Sequence, residues 1–308
     1  MSGDSINGLV IRLQSGFYYV QTANALITCS LRGRLKQASN NEDLVAIGDR
    51  VQITLSDADH GVIERVEQRS RALVRMAPTA RGEYKQILLA NLDLLVLVFA
   101  CAQPEPHLRM LDRFLVIAEK QGIPAMIIAN KVDLVGEKRA QAMFAVYPLL
   151  GYPVHPTSVK TNQGIEELRG ILAGKISAFS GPSGVGKSSI LNALHPHLRL
   201  KVSDVSSLTS KGRHSTVVRE FFRLDEGSTY IADLPGLRAL ALWDIHPEEV
   251  DGYFPELRGL VAECKFSDCK HINEPGCAVK KAVGAGQVHP ERYQSYLNLR
   301  ANIRDPEW

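Results

Sequence analysis

The segment GPSGVGKSS, residues 181–189, constrains the fold of this chain more than any other feature. It matches the pattern G-x-x-x-x-G-K-[ST], and it lies between a strand-like run, KISAFS, and a helix-like run, SSILNAL. A Gly-rich turn before a helix would produce part of this pattern. The strand, the loop and the helix in this order are nevertheless typical of a phosphate-binding loop, so we predict a nucleotide-binding domain.

Each position of this loop has a predicted role in holding a nucleotide. The glycines let backbone N–H groups approach the β-phosphate, Lys187 places a positive charge against the β and γ oxygens, and the Ser188 hydroxyl can ligate Mg²⁺. The predicted nucleotide contacts are Gly181, Pro182, Ser183, Gly184, Val185, Gly186, Lys187, Ser188 and Ser189. The loop alone does not distinguish ATP from GTP.

The chain before this loop alternates between strand-like and helix-like segments. LDLLVLVFA is a continuous apolar run, as expected for a strand buried on both faces, and HLRMLDRFLVIAEKQG has apolar residues at helical spacing. This alternation predicts an α/β fold with a doubly wound, mostly parallel sheet. Residues 7–70 differ, because short alternating runs separated by turns predict an OB-like barrel or a small SH3-like barrel there.

Length and composition limit the classes of protein to which the chain can belong. Its 308 residues suffice for two or three domains, since one domain takes roughly 100–200 residues. An apolar fraction of 45% with a charged fraction of 22% is typical of a folded, soluble protein. The longest apolar run, Leu94 to Ala102, is about half of what a bilayer requires, and the N-terminus lacks an apolar signal-peptide region. We therefore expect a cytosolic protein without a membrane segment.

The tetrapeptide NKVD, residues 130–133, follows a predicted buried strand and indicates which base is bound. A carboxylate at Asp133 can accept hydrogen bonds from guanine N1–H and N2–H₂, a donor pair that adenine does not offer. Lys131 would lie along the face of the base, Asn130 would brace the loop, and Val132, between Lys131 and Asp133, is also a predicted nucleotide contact. Ser158, in the segment TSVKT after the next strand, would support the base from the other side. An ordinary helix N-cap turn is the alternative for NKVD alone.

Two further segments complete a set of predicted nucleotide contacts. In DLPG, Asp233 could hold Mg²⁺ through a water molecule, and the Gly236 N–H would face the γ-phosphate. The polar segment KGRHST, residues 211–216, would be a switch loop that supplies a hydroxyl to Mg²⁺ from Ser215 or, as we favour, Thr216. His214 in this segment is the candidate catalytic residue, with an ordinary solvated loop histidine as the alternative.

A cluster of soft ligands near the C-terminus predicts a metal site. Three of the five cysteines and one histidine lie within residues 264–277, namely Cys264, Cys269, His271 and Cys277. Zinc prefers four such ligands in a tetrahedron. A disulfide or buried structural cysteines are the alternatives, and Cys29 and Cys101 are expected to be core residues.

Basic residues cluster in three places although the net charge is only +3. Two clusters run from Arg65 to Lys85 and from Arg199 to Arg223, and the third comprises Lys265, Lys270, Lys280 and Lys281. Solvated faces of strands and loops would give the same pattern. An OB-like barrel and a metal-binding module are, however, common nucleic-acid platforms.

The order of these motifs is unusual, because NKVD and TSVKT precede GPSGVGKSS, KGRHST and DLPG. A GTPase sheet with its chain termini moved, a circular permutation, would account for this order. In motif order and cysteine cluster the chain resembles the RsgA family, also called YjeQ or EngC. The resemblance covers essentially the whole chain. It implies an OB-fold RNA-binding barrel at residues 1–72, a permuted P-loop GTPase domain at 80–240 and a helical zinc-binding domain at 241–308.

The same resemblance implies a function. It indicates a cytoplasmic, monomeric GTP hydrolase that acts in late maturation of the small ribosomal subunit. The enzyme would bind the rRNA of that subunit and be stimulated by the subunit. One structural zinc ion per chain and Mg²⁺ bound with GTP are implied as cofactors. An RNA-binding assembly protein with GTP as a mere ligand switch is the alternative. A P-loop nucleotide kinase would fit the phosphate loop but not NKVD, the cysteine cluster or the barrel.

Overall fold

The computed structural model describes residues 5–36, 43–79, 82–198, 200, 220–225, 227–234 and 245–301. Its strands in chain order are β1 (Ser5–Gln14), β2 (Phe17–Gln21), β3 (Leu26–Leu31), β4 (Arg50–Leu55), β5 (His60–Val66), β6 (Ala72–Thr79), β7 (Gly82–Ala90), β8 (Leu94–Ala100), β9 (Ala125–Asn130), β10 (Val154–Thr157), β11 (Ile176–Ser180), β12 (Phe222–Arg223) and β13 (Tyr230–Asp233). Its α-helices are α1 (Gly33–Lys36), α2 (Leu108–Lys120), α3 (Glu137–Met143), α4 (Val146–Leu149), α5 (Ile165–Leu172), α6 (Lys187–Leu194), α7 (Pro255–Val261), α8 (Ala278–Gly284) and α9 (Pro290–Ala301). Short 3-10 helices cover Val132–Leu134, Pro196–Leu198 and Pro247–Tyr253.

The first five strands close into a barrel in the order β1-β2-β3-β5-β4. Closure follows because β1 pairs with both β2 and β4, while β3 pairs in parallel with β5. Alternate residues of each strand point inward, and Val10, Val20 and Ile53 are fully buried there. This strand order is that of an OB-like barrel and excludes the SH3-like alternative.

Strands β6 and β7 form an antiparallel hairpin that the sequence analysis did not predict. Several of its contacts tie the hairpin to its surroundings. The Asp43 carboxylate accepts from the Ile87 N–H at 2.8 Å, and Gln121 at the end of α2 exchanges two hydrogen bonds with the backbone of Val74. The hairpin therefore lies against both the barrel side and the helix α2.

Among the described residues, six strands form the main sheet in the order β10-β9-β8-β11-β13-β12. All neighbouring pairs are parallel except β12 with β13. β8 is buried on both faces, as its apolar sequence predicts: Leu97 and Phe99 belong to one core, and Val96 and Val98 to the other. The predicted doubly wound, mostly parallel sheet is confirmed.

The central position of β11 shows how the unusual motif order is accommodated. β11 follows β8, β9 and β10 in the chain but lies between β8 and β13 in the sheet. Since these five strands run parallel, their carboxyl ends meet at one edge, where α/β proteins place ligands. The segments that follow β9, β10, β11 and β13 are NKVD, TSVKT, the phosphate loop and DLPG.

The C-terminal helices pack on the face of the sheet that carries α2, and their apolar side chains join the same core. Two helices follow one another here, the 3-10 helix Pro247–Tyr253 and α7, because Pro255 begins a new helix and cannot donate a backbone hydrogen bond to an existing one. The residues from Cys264 to Cys277 form an irregular loop, and α9 is the last helix of the described residues.

A buried ionic cluster fastens α9 to α2. The Arg292 guanidinium lies 2.6 Å from a carboxylate oxygen of Asp112 and 2.6 Å from one of Glu256 on α7. Tyr147 donates a second hydrogen bond to Asp112 at 2.9 Å. Within the described ranges, no helix combines the length and the apolar character needed to cross a membrane.

Candidate functional site

The phosphate loop turns sharply between β11 and α6. Gly181 is buried, and a Cβ at this position would overlap the carbonyl oxygen of Val98 on β8. Gly186 has φ +90°, in the left-handed region, and a Cβ there would overlap the side-chain amide of Asn130. Larger residues are therefore excluded at both positions. Pro182, Ser183, Ser188 and Ser189 are at least partly exposed along the loop and the first turn of α6, where helix N–H groups have no partner within the helix.

Lys187 and Asp233 meet at the carboxyl edge of the sheet. Lys187 begins α6, Asp233 ends β13, and the Lys187 ammonium group contacts the Asp233 carboxylate. Burial lowers the pKa of Lys187 to about 8. The residue predicted to contact phosphate and the residue predicted to contact Mg²⁺ thus lie side by side.

Asn130 connects three of the predicted segments. Its side chain is buried and donates to the Val185 carbonyl oxygen of the phosphate loop at 2.8 Å. Its amide oxygen accepts from the Thr157 hydroxyl at the end of β10 at 3.0 Å. A buried amide with both of its ends bonded fixes the relative positions of the segments it joins.

Lys131 lies along the phosphate loop. It adopts φ +62°, and its ammonium group donates to the Gly184 carbonyl oxygen at 2.7 Å and to the Gln103 carbonyl oxygen. Burial lowers the pKa of Lys131, and the nearby Asp133 carboxylate acts in the opposite direction. Gln103 was not among the predicted residues, and its sequence signal is its position shortly after β8.

Asp133 is exposed at the sheet edge and is held by Ser158. The Ser158 hydroxyl donates to Asp133 Oδ1 at 2.6 Å, and the backbone of Ser158 is fixed by two hydrogen bonds with Gln163. A carboxylate positioned in this way can accept from a donor pair on a ligand. Val132 beside it is buried and packs in the core.

Four predicted residues lie outside the described part of the chain: His214, Ser215, Thr216 and Gly236. The described residues resume at position 220, and Glu220 and Phe221 contact the barrel. The Phe221 N–H donates to the Ile11 carbonyl oxygen of β1 at 2.7 Å, and Glu220 pairs with Arg12. Sequence reasoning did not predict this contact, because it joins segments far apart in the chain.

The four predicted metal ligands come together. One ligand atom each from Cys264, Cys269, His271 and Cys277 lies within 4.8 Å of all the others. All five cysteines of the chain are free thiols, which excludes the disulfide alternative. Three thiols and an imidazole, with all but Cys264 buried, suit a thiophilic ion, so the cluster could bind a metal.

The thiols of this cluster differ in their electrostatic surroundings. Burial raises the pKa of Cys269 to about 12. Burial acts in the same direction on Cys277, but the Lys280 N–H and the His271 ring outweigh it and lower the pKa of Cys277. By contrast, Cys29 and Cys101 lie outside the cluster in the core, as predicted, and burial raises the pKa of each to about 11.

The predicted basic clusters are only partly available to a ligand. Arg69 is not a free surface charge, because its guanidinium contacts the fully buried Asp49 carboxylate at 2.8 Å. Arg65 and Arg223 are exposed. The lysines near the metal cluster, Lys265, Lys270, Lys280 and Lys281, are all exposed.

Comparisons with known proteins agree with this architecture. Residues 66–243 match the RsgA GTPase family, and residues 7–63 match the RsgA N-terminal domain. The small ribosomal subunit biogenesis GTPase RsgA of Gemmatimonas aurantiaca is 47% identical over 304 residues, which cover 97% of this chain and 98% of the relative. The protein of the same name from Moorella thermoacetica is 41% identical over 298 residues, covering 97% of each chain.

Two solved structures have the same fold. YjeQ from Thermotoga maritima superposes with a TM-score of 0.80 at 35% identity, covering 98% of this chain and 99% of that one. YloQ, described as a circularly permuted GTPase, gives a TM-score of 0.76 at 31% identity, covering 98% and 96%. The circular permutation predicted from the motif order is therefore confirmed.

Proposed function

The chain belongs to the RsgA GTPase family, and we propose that it hydrolyses GTP in late maturation of the small ribosomal subunit. The observation that carries the proposal is the edge of the main sheet, where Asp133, Asn130, Lys187 and Asp233 converge although their segments occur in permuted order. Relatives that match nearly the whole chain carry the name of small ribosomal subunit biogenesis GTPases. A role in ribosome assembly would also have the protein act in the cytoplasm.

The nucleotide would lie along this edge with its phosphates on the loop Gly181–Ser189. Backbone N–H groups and the Lys187 ammonium group would hold the phosphates, and the Lys187 contact with Asp233 would be exchanged for a phosphate oxygen. Ser188, Thr216 and, through water, Asp233 would hold Mg²⁺, which neutralises charge that develops on the β and γ oxygens. The Gly236 N–H would face the γ-phosphate.

RNA would contact the barrel and the C-terminal helices on either side of the metal cluster. We take residues 1–72, 80–240 and 241–308 as the barrel, the GTPase domain and the zinc-binding domain, acting in one monomer. A zinc ion held by Cys264, Cys269, His271 and Cys277 would order a loop that has little apolar core of its own. The exposed lysines around that loop provide positive charge for rRNA phosphates.

A turnover assay tests the proposed function. We expect the purified chain to hydrolyse GTP slowly, and isolated small ribosomal subunits to accelerate turnover by roughly 10³-fold or more, as partner-assisted GTPases do. Large subunits at the same concentration serve as the control and should have little effect. Equal turnover with and without small subunits would favour the alternative in which GTP is only a ligand switch.

Base specificity should reside in Asp133. Asp133→Asn replaces an acceptor with a mixed donor and acceptor, so GTP should bind about 1.5–3 kcal/mol more weakly, or roughly 10- to 150-fold. Xanthosine triphosphate presents an acceptor where guanine has N2–H₂, so it should bind the variant more tightly than it binds the unaltered protein. Calorimetric titration measures both affinities, and Glu167→Gln, an exposed change on α5, is the matched control. Unchanged GTP affinity in the Asp133 variant would rule out this assignment.

A further inference from the structure

The metal cluster has a fifth polar partner that lies outside the loop of its ligands. We propose that Asp251 belongs to the metal site: its carboxylate holds the proton of His271 on Nε2, so that Nδ1 is the atom that binds the metal. This inference rests on the proposed zinc site.

The two ring nitrogens of His271 face different partners. Nδ1 lies 3.5 Å from the sulfur of Cys264 and 3.4 Å from that of Cys277, whereas Nε2 lies 3.1 Å from Asp251 Oδ2. The ring is fully buried, and the Asp251 side chain is 12% exposed. An ionised carboxylate can only accept hydrogen bonds, so Nε2 must carry a proton. The lone pair of Nδ1 is then directed at the thiols, where a metal ion would be shared.

The backbone of His271 is held in place from outside the loop as well. His271 adopts φ +58°, a conformation that few residues other than glycine adopt without support. The hydroxyl of Tyr293 on α9 donates to the His271 carbonyl oxygen, and that of Tyr296 donates to the Lys270 carbonyl oxygen at 2.9 Å. The ring and its backbone are therefore oriented by side chains that are not metal ligands.

The element that carries Asp251 also contacts α2, a helix whose apolar side chains share a core with the main sheet. Asp251 lies in the 3-10 helix Pro247–Tyr253, and the Lys120 ammonium group at the end of α2 lies 3.5 Å from Glu249 and 5.5 Å from the centre of the Tyr253 ring. This helix follows, along the chain, the segment that leaves Asp233 at the phosphate edge. The hydrogen bond that Asp251 accepts from His271 therefore links the metal loop to an element that contacts α2.

Zinc affinity of the full-length chain tests the inference. We expect competition with a chromogenic chelator to show binding about 10- to 100-fold weaker in Asp251→Ala than in the unaltered protein. Asp251→Asn should fall between the two, because an amide oxygen can still accept from Nε2–H. Glu248→Ala, an exposed change in the same 3-10 helix, is the matched control and should bind zinc normally. Cys269→Ala marks the effect of losing a ligand.

A second measurement separates positioning from general structural damage. In zinc-loaded protein labelled with ¹⁵N at histidine, NMR should show His271 bound through Nδ1 and protonated at Nε2. GTP affinity, which depends on the carboxyl edge of the sheet and not on the metal ligands, should be unchanged in the Asp251 variants. If Asp251→Ala does not fold, the zinc affinity of Asp251→Asn and the NMR assignment still show whether Asp251 orients His271.

The outcomes distinguish the two levels of the proposal. If the unaltered protein binds no zinc, the proposed metal site itself is wrong. If it binds zinc but both Asp251 variants bind zinc as tightly as the unaltered protein, the role of Asp251 is overturned while the zinc site stands. The same holds if His271 binds the metal through Nε2.

Discussion

Arg292→Met should lower the free energy of unfolding by about 3–5 kcal/mol, the usual effect of breaking a buried ion pair. The Arg292 guanidinium is 2% exposed and lies between the buried carboxylates of Asp112 and Glu256, which are 3% and 6% exposed. Burial disfavours its charged form, but these two carboxylates outweigh burial and raise the pKa of Arg292. Methionine keeps the apolar stem and removes the charge, so two buried carboxylates would remain without a cation.

Urea unfolding of the full-length chain measures this effect, and an exposed pair provides its control. Arg258 lies 2.7 Å from Glu119 but is 56% exposed, so Arg258→Met should change stability by no more than about 1 kcal/mol. Adding Asp112→Asn to Arg292→Met should recover part of the loss, since one of the uncompensated charges disappears. If Arg292→Met and Arg258→Met lowered the free energy of unfolding by the same small amount, the buried cluster would have no special role in holding α9 against α2.

The features predicted from sequence are those encoded within short segments. The phosphate loop needs glycines at fixed positions, and Gly181 and Gly186 each lie where a side chain would overlap a neighbour. The metal cluster falls within 14 residues, from Cys264 to Cys277, so chain connectivity alone brings its ligands near one another. β8 was predicted because both of its faces are buried, which requires an uninterrupted apolar run.

The features that sequence did not predict depend on contacts between distant segments. Arg292 and Asp112 are 180 positions apart, and nothing local in either segment marks them as partners. The choice between an OB-like and an SH3-like barrel required the pairing of β3 with β5, which strand propensity does not specify. Arg69 was counted as a surface charge, because only the fold shows that Asp49 lies beside it.

His214→Ala should abolish most of the turnover that small ribosomal subunits stimulate. The residue after DLPG is Leu237, where Ras-like enzymes have a glutamine that orients the attacking water. A leucine side chain cannot donate to or accept from that water, so another group must position it. An imidazole within about 3 Å of the water could do so, and His214 is the histidine of the predicted switch loop. Loss of such a group costs roughly 10²–10⁴-fold in rate.

The described residues that flank positions 201–219, among which His214 lies, explain why a docked subunit would matter. Leu200, just before the segment, exchanges two hydrogen bonds of 2.9 Å with the Asn192 side chain on α6, the helix that begins at the phosphate loop. Phe221, just after it, bonds to Ile11 on the barrel at 2.7 Å. The described residues on the two sides of His214 thus contact α6 and the proposed RNA-binding barrel. RNA bound to the barrel could therefore influence the position of His214.

Two further variants make this last prediction specific. His214→Gln retains a side chain that can bond to water, so it should keep more stimulated turnover than His214→Ala, while GTP affinity stays within a few-fold in both. His289→Ala, an exposed histidine before α9, is the control and should turn over GTP normally. Rates at saturating GTP, measured over a range of small-subunit concentrations, separate a chemical defect from weaker docking. A docking defect disappears at high subunit concentration, whereas a chemical defect remains. If His214→Ala kept full stimulated turnover, the group that positions water would have to come from elsewhere, and the ribosome itself would be the first place to search.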